Sequence, residues 1–591
     1  MNIEPRSRGL LFLSLTAIAV GVITGFGSIF FRGLIGFIHN LLFLGHISVI
    51  YDANVYTPAS PWGAFVILVP VIGGMGVVFL VETFAPEARG HGVPEVMDAI
   101  FYKEGRIRPV VAAVKSLASA LSIGSGAAVG REGPIIQIGA SLGSTFGQLI
   151  NMETWQRITL VAAGAGAGIA ATFNTPIGGV MFAIELMLPE VSVRTFLPVA
   201  LATGTATFIA RLFIGLRPAF DMPSITAMAA HPAPLYALLL YAALGATIGL
   251  AATGLIRGLH SMEAIFHQFR NPYLRHAIGM VLVGTLIYAL FRFAGQYYVD
   301  GVGYATIQDV LMGGLRAAPL LAVLFFSKLL ATTVSLGSGS SGGIFSPSLF
   351  MGATLGGAFG ALVHEIHPSP DINVASFAIV GMAAMVGGGT GAAMTAVTMI
   401  FEMTRDYDIV MPLIIAVAVS IGIRRLLSRE NIYTIKLVAR GHFIPKALHA
   451  NMFLVRRAGE VMDKDILVLP ADMKFDEFLR LPDHGGRMRH VVITRGDAIE
   501  GVLRVNTALR RGLEGAYTGL TLGEVGITNF TVAHQEEVMF NVIGEMSRRN
   551  AAMVIVSRSV GLPRACDVVG LITKEHIADS VSESISPYAA D

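Results

Sequence analysis

Charge is scarce in this chain. Asp, Glu, Lys and Arg make up 14% of 591 residues against 53% apolar, where a soluble domain carries roughly 25% charged residues. The deficit is uneven. Up to about residue 440 the sequence is nearly continuously apolar, and beyond about 455 charges are frequent. A wholly soluble globule is therefore excluded; a membrane domain followed by a soluble one is implied. The net charge of +2 is too small to single out nucleic acid or any other partner. Cysteine is almost absent. Cys566 stands alone, which excludes an intrachain disulfide and leaves the compartment open.

What is present is length of apolar sequence. Runs lie near 10–37, 61–82, 109–123, 134–150, 158–186, 195–214, 234–258, 276–297, 317–335, 348–363, 375–400 and 410–426, and a spanning helix needs about 20 such residues. The first run follows a short basic stretch and has no signal-peptide cleavage pattern, so it reads as a retained helix. Arg6 and Arg8 before it, and Arg424, Arg425, Arg429 and Lys436 after the last run, favour cytoplasmic placement of both ends. The expectation is an integral multi-pass cell-membrane protein with its amino terminus and soluble tail in the cytoplasm.

One passage occurs twice. Residues 115–147 and 328–360 align without a gap and share fifteen of thirty-three positions, among them the leading lysine, a Gly-Ser-Gly and a proline. The halves are about 1–215 and 230–435, joined by the proline-containing stretch 217–234. Each copy is an apolar stretch broken by glycines, with proline just after the break. Duplicated broken segments of this kind point to a transport site near the bilayer midplane, since irregular backbone at that depth is tolerated only where protein or a watery cavity satisfies it. Close helix packing alone explains the small residues at 162–168, but it does not require proline at a fixed offset.

The breaks are suited to anions. Gly130-Arg131-Glu132-Gly133-Pro134 and Gly343-Ile344-Phe345-Ser346-Pro347 each place proline in the first turn of a following helix. Free N–H groups and a positive dipole end bind anions there without a buried cation. Gly90-His91-Gly92-Val93-Pro94 has the same form. Glu132 is the carboxylate of greatest interest, because an ionisable group inside a membrane domain is a functional candidate by default. Ionised, it occupies a site built for a permeating anion; protonated, it leaves. It is thus a gate and a candidate proton carrier. The structural alternative is an ion pair with Arg131 or Lys115.

These motifs resemble those of the CLC family of chloride channels and chloride/proton antiporters. The resemblance covers residues 1–445 as a transmembrane anion-transport domain. It implies an all-α membrane fold of two inverted repeats with broken helices, assembled as a homodimer with one pore per subunit. It implies Glu132 as the gate. The anion-binding candidates are His91, Gly92, Gly130, Arg131, Gly133, Gly343, Ile344, Phe345 and the hydroxyl of Tyr433, with chloride and protons as partners beside membrane lipid.

Two departures bear on mechanism. The first motif usually carries serine where His91 stands. An imidazole N–H can still donate to an anion, or the ring can turn away to a backbone carbonyl. Family antiporters commonly carry an internal proton-transfer glutamate where Leu186 stands. Glu185 is adjacent and is the other proton-path candidate, although a neighbour on a helix points about 100° away. Leu186 favours channel-like or weakly proton-coupled transport, with an antiporter using another proton route as the alternative.

Residues 455–591 resemble a tandem of CBS modules, about 455–515 and 520–585. Gly459-Glu460-Val461 recurs as Gly523-Glu524-Val525, each followed by a β-α-β-β-α pattern. A cytoplasmic α/β tandem is expected. The aspartate that contacts ribose in such modules is missing from both copies, with Arg504 after Gly501-Val502-Leu503 and His576 after Gly570-Leu571-Ile572-Thr573. No nucleotide, cofactor or metal is expected. Two rival classes are weaker. An intramembrane protease using Ser341 lacks a base, and the aligned first copy has alanine. A cation transporter calls for a ring of carboxylates or carbonyls.

Overall fold

The computed structural model describes residues 9–216, 219–220, 235–368, 373–444, 452–481, 490–513, 516–559 and 564–585. Arg6, Arg8 and nearly all of the stretch joining the halves lie outside the described residues. The chain divides into two compact units, residues 1–444 and 445–591.

The first unit is built of helices. Its first half holds α1 (Leu10–Phe43), α2 (Val69–Phe84), α3 (Val93–Tyr102), α4 (Val110–Gly124), α5 (Glu132–Leu149), α6 (Thr154–Phe173), α7 (Pro176–Phe182) and α8 (Val193–Ile214). The second holds α9 (Leu235–His267), α10 (Pro272–Ala294), α11 (Tyr304–Leu311), α12 (Ala318–Ser338), α13 (Phe345–Ile366), α14 (Val374–Thr390), α15 (Ala393–Thr404) and α16 (Val410–Leu427), and a short α17 (Thr434–Ala439) follows. Among the described residues, eight segments are long and apolar enough to cross a membrane. Phe30, Phe208 and Phe293 project outward from them, as a lipid-facing surface requires.

The two halves are packed alike. α1 lies on α8 as α9 lies on α16, α5 on α6 as α13 on α14, and α2 on α4 as α10 on α12. Glycines set the same close crossing in both. A Cβ on Gly164 would lie 2.1 Å from the carbonyl of Gly139, and one on Gly381 would lie 2.3 Å from that of Gly352. The small residues at 162–168 therefore serve helix packing, as the composition suggested.

Two apolar runs that read as single stretches are in fact broken. Asn174 takes the left-handed conformation between α6 and α7, and Gly391 does so between α14 and α15. A π-helical turn, Ala183–Met187, then ends the α7 segment. Asn174-Thr175-Pro176 and the glycines of 387–391 mark these breaks in the sequence, but apolar residues on both sides let each run read as continuous.

The second unit is itself doubled. Strands β1 (Ile466–Pro470), β2 (His490–Arg495) and β3 (Ala498–Arg504) form one sheet, and β4 (Phe530–His534), β5 (Met553–Ser557) and β6 (Val568–Thr573) form another. In each, the first pair is parallel and the second antiparallel. The copies exchange backbone bonds. Asp463 and Leu571 donate to each other's carbonyls at 2.9 and 3.0 Å, and Val502 and Ile527 do so at 3.0 and 2.8 Å. Val492, Val502, Met553, Ile555 and Leu571 form the apolar core between the sheets.

Candidate functional site

The broken helix ends of the first unit meet at one place. Gly130 donates to the carbonyl of Gly343 at 2.7 Å, and Gly343 donates back to Gly130 at 2.6 Å. These are equivalent positions of the duplicated passage. Reciprocal antiparallel bonds between equivalent residues mark an approximate two-fold axis between the halves, in keeping with inverted repeats. Gly90 is drawn into the same seam, donating to Ser340 and accepting from Gly342, both at 3.2 Å. A side chain cannot enter: a Cβ on Gly133 would lie 2.3 Å from the His91 carbonyl and 2.9 Å from the Gly343 Cα. The seam corrects the sequence reading in one respect. The N–H groups of Gly130 and Gly343 are spent on each other and are not free for an anion.

A buried lysine braces each half. The Lys115 ammonium donates to the carbonyls of Ala88 and Gly90 at 2.9 and 2.7 Å, and the Lys328 ammonium donates to those of Val299 and Gly301 at 2.9 and 2.8 Å. These lysines open the two copies of the duplicated passage. Their matching roles expose a fourth break that sequence reasoning missed. Gly301-Val302-Gly303-Tyr304 enters α11 as Gly90-His91-Gly92-Val93 enters α3, with Gly92 and Gly303 at φ +81° and +76°. The signal was two glycines one residue apart, ahead of a lysine. It was overlooked because no proline follows.

Glu132, the first residue of α5, is fully buried. Its carboxylate lies on the first turn of α13 and accepts the Ser346 N–H at 3.2 Å. The Ser346 hydroxyl donates to the same oxygen, and the Tyr304 hydroxyl donates to the other. The two hydroxyl oxygens are 3.2 Å apart. Arg131 Nε stands 3.9 Å from the carboxylate, and its guanidinium lies 4.9 Å from the centre of the Tyr304 ring. Arg131 is thus loosely paired, while Lys115 is committed to its carbonyls.

Ile344 and Phe345 precede and open α13, so their N–H groups lack intrahelical acceptors. His91 and Tyr433 approach each other, ring centroids 6.0 Å apart, and His91 Nδ1 is buried without a hydrogen-bond partner among the described residues. The ring has therefore not turned its Nδ1 to a backbone carbonyl. Beside this pair, Glu95 of α3 holds Arg440 at 2.5 Å and Lys436 at 4.0 Å.

Glu185 stands apart from the cluster. Its carboxylate accepts the N–H groups of Met394 and Thr395 at 3.2 and 2.9 Å and the Thr395 hydroxyl at 2.8 Å, capping α15. Ser341 donates its hydroxyl to the Ala88 carbonyl at 2.7 Å and lies 2.9 Å from the Ser119 hydroxyl, an anchoring arrangement within the seam.

Residues 73–425 match the family described as "Voltage gated chloride channel". The chain belongs to this family. Among curated proteins, this CLC chain is 31% identical over 418 residues to the "H(+)/Cl(-) exchange transporter ClcA" of Citrobacter koseri, covering 69% of this chain and 85% of that one. It is 33% identical over 367 residues to a "Putative chloride channel protein ClcB-like" of Ralstonia nicotianae, covering 61% and 82%. Among solved structures it is similar to "a slow cyanobacterial Cl-/H+ antiporter", with TM-score 0.63 and 26% identity over 74% of this chain and 99% of that one. It shares the fold of "a eukaryotic CLC transporter", with TM-score 0.59 and 19% identity, covering 96% of this chain and 98% of that one.

Proposed function

We propose that the protein moves chloride and related small anions across a membrane, gated by Glu132, in a channel-like or weakly proton-coupled manner. The observation that carries this reading is the seat of the Glu132 carboxylate on the first turn of α13. A helix start holds one negative charge, and here the protein's own carboxylate fills that place. A protonated Glu132 has no charge to be held, so the helix start is released to a permeating anion. Ile344 and Phe345 N–H groups, His91 and the Tyr433 hydroxyl then supply the next station inward. Weak coupling is favoured by Leu186, which cannot relay a proton, and by Glu185, whose carboxylate is committed to α15.

The second reading is chloride/proton exchange. It is favoured by the Citrobacter koseri relative and the cyanobacterial neighbour, which carry that description. On this reading the proton reaches Glu132 by a route other than residue 186. For the tail we keep the tandem CBS reading. The doubled sheets, each with one parallel and one antiparallel pair, support it. His576 bonds to Thr573 through both its N–H and its Nδ1, at 3.2 and 3.3 Å, a local capping arrangement in place of a ribose contact. Two copies, each with its own path, are the expected assembly.

The test is flux from liposomes under a chloride gradient, with chloride and protons recorded together. Chloride movement without fixed proton movement is the expected result. Uphill proton movement at a constant ratio selects exchange, and cation-selective reversal potentials overturn the anion reading.

A further inference from the structure

We propose that Tyr304 and Ser346 form a hydroxyl latch that holds the Glu132 carboxylate in its closed position and sets the acidity needed to release it. Both are positioning residues, and the inference rests on the gating role proposed for Glu132. Three features carry it. First, the two hydroxyls approach the carboxylate from separate elements, Tyr304 from α11 and Ser346 from α13, and donate to different oxygens. Second, all three residues are buried, so the bonds are made inside the protein and not at its surface. Third, Tyr304 is placed by structure built for it. Gly303 takes φ +76° just ahead of it, Lys328 pins the loop, and Phe220 packs against its ring at 4.9 Å.

The latch discriminates between the two forms of Glu132. A carboxylate offers acceptors for both hydroxyls and for the Ser346 N–H. A carboxylic acid carries its own donor and gives up acceptor capacity. Hydrogen bonds to the charged form favour that form. The proton that opens the gate must therefore displace bonds from Tyr304 and Ser346. The other charged or titratable groups within electrostatic reach of Glu132 are Arg131, 3.9 Å away, Lys328 of α12 and Tyr433 ahead of α17, with Arg32 of α1 within reach of Arg131 and Asp300 of Lys328. All of these persist when the hydroxyls are removed, so the effect of the hydroxyls is separable. Once Glu132 has left, the same donors face the vacated place and are available to an incoming anion.

The experiment is chloride efflux from liposomes holding the full chain, measured across pH, for Tyr304→Phe, Ser346→Ala and Glu132→Gln. Tyr304→Phe keeps the ring and its contacts with Arg131 and Phe220. We expect the pH of half-maximal efflux to move up by about one unit, the size of one charge-assisted hydrogen bond. Ser346→Ala moves it the same way by less, because the N–H remains. Added to Glu132→Gln, neither substitution introduces a pH midpoint, although either can lower the efflux by the same factor at every pH because the hydroxyls face the vacated anion place. A Tyr304→Phe profile that superposes on the wild type, or one scaled equally at every pH, overturns the latch. If Tyr304→Phe fails to fold, the Ser346→Ala midpoint decides alone. Unchanged pH dependence in Glu132→Gln overturns the gate itself, which is a different outcome from failure of the latch.

Discussion

Glu185 and Glu402 cap each other's helices. Glu185, in the turn that ends α7, accepts the first-turn N–H groups of α15, and Glu402, on α15, accepts the Ile177 and Gly178 N–H groups of α7 at 3.1 and 2.7 Å. The exchange follows the same approximate two-fold axis as the Gly130–Gly343 seam. It fixes two short helices that are too brief to be stable on their own.

Substituting either carboxylate therefore weakens the fold before it touches transport. Glu185→Gln keeps the shape but loses the charge that favours a helix start. A loss of about 1 kcal/mol is expected, read as a lower melting temperature in detergent. The ratio of proton to chloride flux should stay at its wild-type value. A changed ratio with unchanged melting would return Glu185 to the proton path.

The paired lysines give a second prediction. Replacing Lys115 or Lys328 by methionine leaves two buried carbonyls without donors, at about 1–3 kcal/mol each. Both variants should lose folded protein to a similar extent, measured as the monodisperse fraction after extraction. If only one is sensitive, the bracing roles are not equivalent.

How far the sequence foretells this arrangement depends on distance along the chain. The duplicated passage, its lysines and its glycine breaks are local patterns and are visible directly. The entry into α11 carries the same glycine pair without a following proline and lies ahead of the duplicated passage, 27 residues before Lys328 where Gly90 lies 25 before Lys115, so neither the proline pattern nor the repeat picks it out. Tyr304 was missed with it. The mutual bonding of Gly130 and Gly343 joins residues more than two hundred positions apart, and no local pattern encodes which glycine N–H is spent and which is left free.

His91 is the position where selectivity should respond. Its buried Nδ1 has no hydrogen-bond partner among the described residues, and its ring faces Tyr433. Serine at that position offers a smaller donor and a wider passage. His91→Ser should therefore change the chloride-to-nitrate permeability ratio, measured as the shift in reversal potential on anion exchange. An unchanged ratio would remove the ring from the anion path.

The tail offers a pH prediction with a definite sign. His490 starts β2, is buried, and lies beside His576 and 3.7 Å from Asp463. Burial, and then the neighbouring His576, push its pKa below the ordinary histidine value. The folded tail thus favours the neutral ring, whereas the unfolded chain takes up a proton near pH 6.5. Between those two values the unfolded state binds more protons, so stability falls as pH falls below about 6.5 and is flat above it. Amide protection factors in β2 and β6 of the full chain should drop between pH 7.5 and 5.5. In His490→Leu, which has no ring to protonate, that drop should shrink. Equal pH dependence in both proteins would assign the effect to other groups.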